Sequence, residues 1–249
     1  MEQKKKSKIN KSYILLAVVL VILIALSAIK IYVDNDYKPM HDIEYYQSLT
    51  NVPVSETDNI LTVYDQEKIN PYFSVGIIFY SGEKIEGQCY LPLMAQLANS
   101  GYHCFLPTTM GNLPILNLDG ADFAIRKYWW VTDWYIVAHS TACETAAKYV
   151  AGHDNVKGLI LLGGTVNTDI SNKKIKVLSI CGSRDSILDF DKYEKNKSKL
   201  PKGTSYKIIE GGNHTAFADT NLIKGDTQTS FKPEKQISIT ADYIRDFIK

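Results

Sequence analysis

Cysteine is scarce in this sequence. The four that occur, Cys89, Cys104, Cys143 and Cys181, are far apart and lack metal-ligand spacing. A disulfide framework and a structural zinc site are therefore not expected. Cys104 and Cys181 fall in apolar runs, where a free thiol behaves as a small hydrophobe. Charge of one sign is missing too, because 28 Lys and Arg against 27 Asp and Glu leave a formal net charge of +1. With no basic surface and no basic-aromatic recognition pattern, nucleic acid is excluded as a partner. No large insertion separates the predicted strands, which weighs against long-chain lipid substrates.

What the sequence does have is one long apolar run, from Tyr13 to about Ile29, preceded by Lys4, Lys5, Lys6, Lys8 and Lys11. As a helix such a run spans about 26 Å, near the thickness of a bilayer core. Lys30 can snorkel to an interface, and Tyr13 and Tyr32 stand where interfacial aromatics are favoured. The expected organisation is a basic cytoplasmic tail over 1–12, a transmembrane anchor over 13–33 and a polar, tyrosine-rich tether over 34–58. A folded domain then fills 59–249 on the outer side of the cell membrane, by the positive-inside rule. The competing reading is a secretory signal peptide cleaved near Ala25-Leu-Ser27, which would release the domain.

Beyond residue 59 short apolar runs alternate with amphipathic stretches. Strands are expected at 59–64, 74–80, 102–106, 134–137, 157–162, 175–181 and 205–209. Helices are expected after Lys84 up to Gly101, at 119–128, from Ser140 to about 152, at about 189–200, and at the C-terminus. That C-terminal helix carries Ile237, Ala241, Ile244 and Ile248 on one face. This alternation predicts an α/β fold with a mostly parallel central sheet and helices on both faces. Chemistry in such sheets gathers beyond the carboxyl ends of the strands. Ser140, Asp185, His214 and the Gly82-Glu83 pair each follow a predicted strand at that end.

Ser140 has the most informative surroundings. It lies between the run Trp134–Val137 and a helix whose Ala142, Ala146 and Val150 share a face, with Ala138 and Ala142 two residues away on either side. A serine at a sharp strand-to-helix turn needs small neighbours, because the turn brings their backbones close; the usual form is G-x-S-x-G. The helix N-terminus also favours negative charge at the hydroxyl. A serine hydroxyl needs a base to become a nucleophile, histidine is the natural one, and a carboxylate must fix its tautomer. The chain supplies Ser, Asp and His in that order.

The stretches Ile77-Ile-Phe-Tyr-Ser-Gly82-Glu-Lys, Ala138-His-Ser140-Thr-Ala142, Val177-Leu-Ser-Ile-Cys-Gly182-Ser-Arg-Asp185 and Ile209-Glu-Gly-Gly-Asn-His214 resemble the alpha/beta-hydrolase superfamily. Within it the chain is most similar to small, lid-poor bacterial members of the dienelactone-hydrolase-like type, over roughly 59–249. The resemblance implies an alpha/beta-hydrolase fold behind one N-terminal transmembrane helix. It implies Ser140 as nucleophile, His214 as base and then acid, and Asp185 as its orienting carboxylate. The oxyanion hole falls to the backbone N–H groups of Glu83 and Thr141. No cofactor and no metal are implied. The expected activity is that of a membrane-anchored serine hydrolase acting on a small-molecule ester or related acyl substrate. An acyltransferase with the same triad and a non-catalytic binding domain of the same fold are the alternatives. Alanine at 138 and 142 and Glu83 replace glycines usual in the family, and a Glu83 carboxylate turned inward would oppose an oxyanion.

Blander roles compete at each position. Ser140 could cap its helix, and Asp185 could be a turn residue, with Asp189 a rival as the orienting carboxylate. His139 is expected to pack without a catalytic part, and Cys143 to be buried. Trp129, Trp130 and Trp134 could line a pocket, with the core as their default. Lys224-Gly-Asp226 reads as an ordinary turn, and His41, His103 and His153 form no visible cluster.

Overall fold

A computed structural model describes residues 11–34, 36–70 and 72–249. Most of the expected basic tail, residues 1–10, lies outside the described residues. The chain divides into two units, residues 1–36 and residues 37–249. In the first, helix α1 (Lys11–Asp34) carries a 22-residue stretch, Lys11–Tyr32, long and apolar enough to cross a membrane and with none of it buried. A helix apolar on every side has no polar face to leave in water, and this one has no core around it. It fits a membrane anchor or a signal sequence alike.

The second unit is built on one eight-stranded sheet. Its strands are β1 (Val54–Thr57), β2 (Ile60–Val63), β3 (Val75–Tyr80), β4 (His103–Pro107), β5 (Asp133–His139), β6 (Gly158–Leu162), β7 (Lys176–Gly182) and β8 (Ser205–Ile209). They lie side by side in the order β1-β2-β4-β3-β5-β6-β7-β8. The β1–β2 and β2–β4 pairs are antiparallel and every other pair is parallel. Strands β3 and β6 are buried along their whole length, as parallel strands covered on both faces must be.

Among the described residues six helices accompany this sheet: α2 (Ile43–Ser48), α3 (Leu91–Asn99), α4 (Gly120–Lys127), α5 (Ala142–Gly152), α6 (Phe190–Asn196) and α7 (Pro233–Ile248). Alternation along β3 sorts them into two layers. Val75, Ile77 and Phe79 share a cluster with Leu93 and Leu97 of α3 and with Ile237, Ala241 and Ile244 of α7. Ile78 and Tyr80 share the other with Ala121 and Ala124 of α4 and Ala142, Ala146 and Val150 of α5. The alanine face of α5 keeps that helix close against the sheet, which matters because α5 starts at Ser140's turn.

The structure corrects the expected tether over 34–58. From Tyr37 onward that segment is part of the folded unit. The Tyr37 N–H donates to the Lys84 carbonyl (2.7 Å), and Glu86 returns a bond to the Tyr37 carbonyl (3.0 Å). Tyr46 on α2 is fully buried, its hydroxyl donating to Asp219 Oδ2 (2.7 Å), and His41 Nδ1 meets the same oxygen at 2.8 Å. A tyrosine-rich stretch looks polar, yet each ring is mostly apolar area with one hydroxyl to satisfy. Strand β1 has little apolar signal in its sequence because it is an edge strand with three of four residues exposed. Its two-residue hairpin to β2 uses Asp58 and Asn59 at φ 52° and 59°, a turn these residue types tolerate. We expect Tyr46→Phe to cost about 1–2 kcal/mol, because Asp219 stays buried and loses a donor. The urea midpoint of the full chain measures it.

Candidate active site

The site forms where β5, β6, β7 and β8 end. Strand β5 runs into Ser140, which holds φ 58°, in the left-handed region a non-glycine residue seldom occupies. Such strain persists only where neighbours over-determine it, and here they do. The Ser140 N–H donates to the Leu162 carbonyl at the end of β6 (2.9 Å), and its own carbonyl accepts from Cys143 N–H (3.1 Å). Ala138 and Ala142 are fully buried on either side. Helix α5 begins at Ala142 with Thr141 at its cap, so Ser140 stands outside the helix in the turn itself. Its hydroxyl is not the capping group.

Two glycines after β6 make room for this turn. A Cβ on Gly164 would lie 2.5 Å from the Ser140 carbonyl oxygen. A Cβ on Gly163, itself at φ 52°, would come within 3.0 Å of His214 Nδ1 and 3.1 Å of Asp185 Oδ2. The pair reads in sequence only as a strand stop. Its contact with the site needs the parallel register of β5 against β6.

Asp185, His214 and Ser140 are in hydrogen-bond sequence. Asp185 Oδ1 accepts from the N–H groups of Ile187 (2.9 Å) and Leu188 (2.8 Å), which turns Oδ2 toward His214 Nδ1 at 2.9 Å. His214 Nε2 lies 2.9 Å from Ser140 Oγ. A carboxylate can only accept, so Nδ1 carries the hydrogen and Nε2 is left to accept from the serine. Asp185 and His214 are buried, at 5% and 2% exposure, so water competes little for these bonds. The rival carboxylate is engaged elsewhere, since Asp189 Oδ1 accepts from the Lys192 N–H and caps α6.

The His214 loop is pinned from several sides. Gly211 turns the chain at φ 78° after β8. Gln236 of α7, fully buried, accepts from the Asn213 N–H (2.9 Å) and donates to the Asn213 carbonyl (2.8 Å). Asp226 does more than an ordinary turn residue would. One of its oxygens accepts from the Thr215 N–H and hydroxyl (2.8 and 2.7 Å), and the other from the Ser186 N–H (3.2 Å). It therefore ties the loop of His214 to the loop of Asp185. Nothing in the local sequence marks it, because Ser186 comes from another loop and Thr215 stands 11 residues back in its own.

Ser140, His214, Thr141 and Glu83 line one cavity of about 490 Å³. Leu113, Pro114 and Ile115 contribute one apolar wall, and Ile187 and Leu188 another; Lys148 and Lys192 also border it. The Thr141 N–H precedes the first turn of α5, where backbone donors lack intrahelical acceptors. Glu83 is held by its neighbours: the Gly82 N–H donates to Tyr90 Oη (2.8 Å), and the Lys84 N–H to the Asn112 carbonyl (2.8 Å).

The remaining candidates lie elsewhere or are inert. Trp130 packs on His103 and Tyr64, Trp134 on Phe105, and Trp129 is exposed, so none lines the cavity. All four cysteines are free and buried, and burial pushes the Cys143 thiol up to about 12. Among the described residues no three His, Cys, Asp or Glu side chains gather as a metal would need. Burial also holds His139 well below the usual histidine value of about 6.5 and lowers His103. The unfolded chain then binds more protons than the folded one below that value. The stability these neutral rings carry is thus intact above about pH 6.5 and falls as pH drops through it, by up to about 1.4 kcal/mol per unit for each ring. Denaturant midpoints between pH 7.5 and 5.5 should show the decline, with a shallower slope in His103→Phe.

Comparison with known proteins agrees with this architecture. The family model described as "Alpha/beta hydrolase family" matches residues 76–238. Among solved structures, a predicted CIB-like hydrolase from Thermoplasma acidophilum is similar at a TM-score of 0.57 and 16% identity, covering 79% of this chain and all of that one. TT1662 from Thermus thermophilus is similar at 0.58 and 12% identity, covering 80% of this chain and 99% of its own. No curated protein matches the chain by sequence.

Proposed function

The chain belongs to the alpha/beta hydrolase family, and from that premise we propose that it is a serine hydrolase cleaving an ester or related acyl bond of a small molecule. The observation that carries the reading is the unbroken hydrogen-bond sequence from Asp185 through His214 to Ser140 at the wall of a cavity. Ser140 Oγ attacks the acyl carbon while its proton passes to His214 Nε2. Asp185 stays ionised and steadies the imidazolium. The N–H groups of Thr141 and Glu83 hold the oxyanion. As the tetrahedral intermediate collapses, His214 returns the proton to the departing alcohol or amine, leaving Ser140 acylated. A water, deprotonated by His214, then releases the acid and restores the hydroxyl. The apolar wall of Leu113, Pro114 and Ile115 suits a short acyl chain. Helix α1 would serve as an uncleaved anchor, with the hydrolase unit on the outer side.

Labelling the detergent-solubilised full chain with a fluorophosphonate tests the reading. An adduct on Ser140 that disappears in His214→Ala supports it, and an ester screen follows. A folded chain without an adduct turns the reading to a non-catalytic binding domain, which the placement of Glu83 on the cavity wall favours. Acyl transfer uses the same residues and separates from hydrolysis by its products.

A further inference from the structure

We propose that His139 and Tyr90 are positioning residues that hold the Gly82-Glu83 backbone and the His214 ring in register for attack by Ser140. The inference rests on the serine-hydrolase reading and extends it to two buried side chains that the mechanism above does not use.

Tyr90, at the entry to α3, is fully enclosed, and its hydroxyl makes two bonds. It accepts from the Gly82 N–H at 2.8 Å and lies 2.8 Å from His139 Nδ1. A hydroxyl has one hydrogen. Among the described residues the hydroxyl meets only the Gly82 N–H and His139 Nδ1, so its hydrogen has no acceptor but Nδ1, and His139 is the neutral tautomer protonated at Nε2. The arrangement has a direction: Gly82 N–H to Tyr90 oxygen, Tyr90 O–H to His139 nitrogen. It works only while His139 is uncharged, since a protonated Nδ1 would leave the tyrosine hydrogen without its acceptor. Burial keeps the ring neutral.

The other side of His139 meets the base. Its ring centroid is 4.7 Å from that of His214, at an interplanar angle of 37°, and Phe217 lies against it at 5.6 Å. His139 Nε2 is buried against the His214 backbone, in a contact short of ordinary hydrogen-bond geometry. The imidazole is thus held by its bond to Tyr90, by packing on Phe217 and by its contact with the His214 backbone and ring. A Cβ on Gly82 would fall 3.2 Å from His139 Nδ1, so the turn, the tyrosine and the histidine leave one another little play. Two parts of the reaction are joined through this link: the turn that presents the Glu83 N–H to the oxyanion, and the ring that moves the proton. A neutral aromatic face beside His214 also tolerates the imidazolium formed during attack, whereas a charged neighbour would oppose it.

Displacement of about 1 Å at a reacting centre costs on the order of 100-fold in rate. We therefore expect Tyr90→Phe and His139→Leu in the full chain to lower kcat by about 10- to 100-fold. KM should move little, because neither side chain lines the cavity. His139→Gln supplies an acceptor for the Tyr90 hydroxyl and should recover most of the lost kcat. Tyr90→Phe removes one oxygen atom and keeps the ring, so its thermal melt reports whether the chain is folded. Wild-type kcat in folded Tyr90→Phe overturns the assignment, as does a His139→Gln enzyme no better than His139→Leu, or a change confined to KM. The fluorophosphonate label on wild-type Ser140 separates the two levels. A labelled wild type with unaltered variants sinks this assignment alone, and an unlabelled one sinks the hydrolase reading and this assignment with it.

Discussion

On the proposed serine-hydrolase mechanism, Ser140→Ala is expected to lose turnover by about six orders of magnitude in kcat, the scale seen when a serine nucleophile is removed from an intact triad. The fold will not suffer. Ser140 takes its φ of 58° from the β5–α5 turn and from bonds made by its backbone, which alanine makes equally well. Ester turnover and a melting curve on the same preparation check both halves. Glycine at this position sharpens the test. It removes the proposed nucleophile and also the left-handed strain, which costs an L-residue about 1 kcal/mol or somewhat more. Ser140→Gly should therefore melt above the wild type while being equally inactive. A glycine variant less stable than the alanine one would mean that the turn stores no such strain.

Asp185→Asn is expected to lower kcat by about 10⁴-fold with the geometry almost intact. The reason lies in the two N–H groups of Ile187 and Leu188 that point at Oδ1. They will orient the new amide with its oxygen toward themselves, which leaves its NH₂ facing His214 Nδ1. Two donors cannot share that contact, so His214 must shift its hydrogen to Nε2. That nitrogen then confronts the Ser140 hydroxyl as a donor and cannot take its proton. Asp189→Asn is the control, because Asp189 borders the cavity but caps α6 and makes no bond to His214. It should leave kcat within a few-fold. Loss of activity at position 189 but not at 185 would reverse their roles.

The parallel core was legible because its strands are short apolar runs between turn signals, and β3, β6 and β8 lie within a residue of their expected limits. The C-terminal helix was legible from one face, and Ile237, Ala241, Ile244 and Ile248 are all buried. The segment from Tyr37 to Thr57 was not. Its strand is an exposed edge, and its helix is fastened by a tyrosine whose partner, Asp219, lies 173 residues away. The candidate site divides in the same way. Residue type and chain order pointed to Ser140, Asp185 and His214 because each follows a strand at the same end of the sheet. Asp226, Gln236 and Gly163 carried no such mark. Each acts on residues that only the folded chain brings near.

By itself, then, the sequence determined the α/β layering and the residue types available for chemistry, since both follow from periodicity and from what serine, histidine and aspartate can do. Tertiary structure alone decided the order of the strands, which aspartate faces the histidine, and the tautomer that follows. It also brought the His139 ring against that of His214. These are relations between distant segments, set by register across the sheet and by loops that close over its edge, and no local pattern encodes a distance of 2.9 Å between residues 74 positions apart.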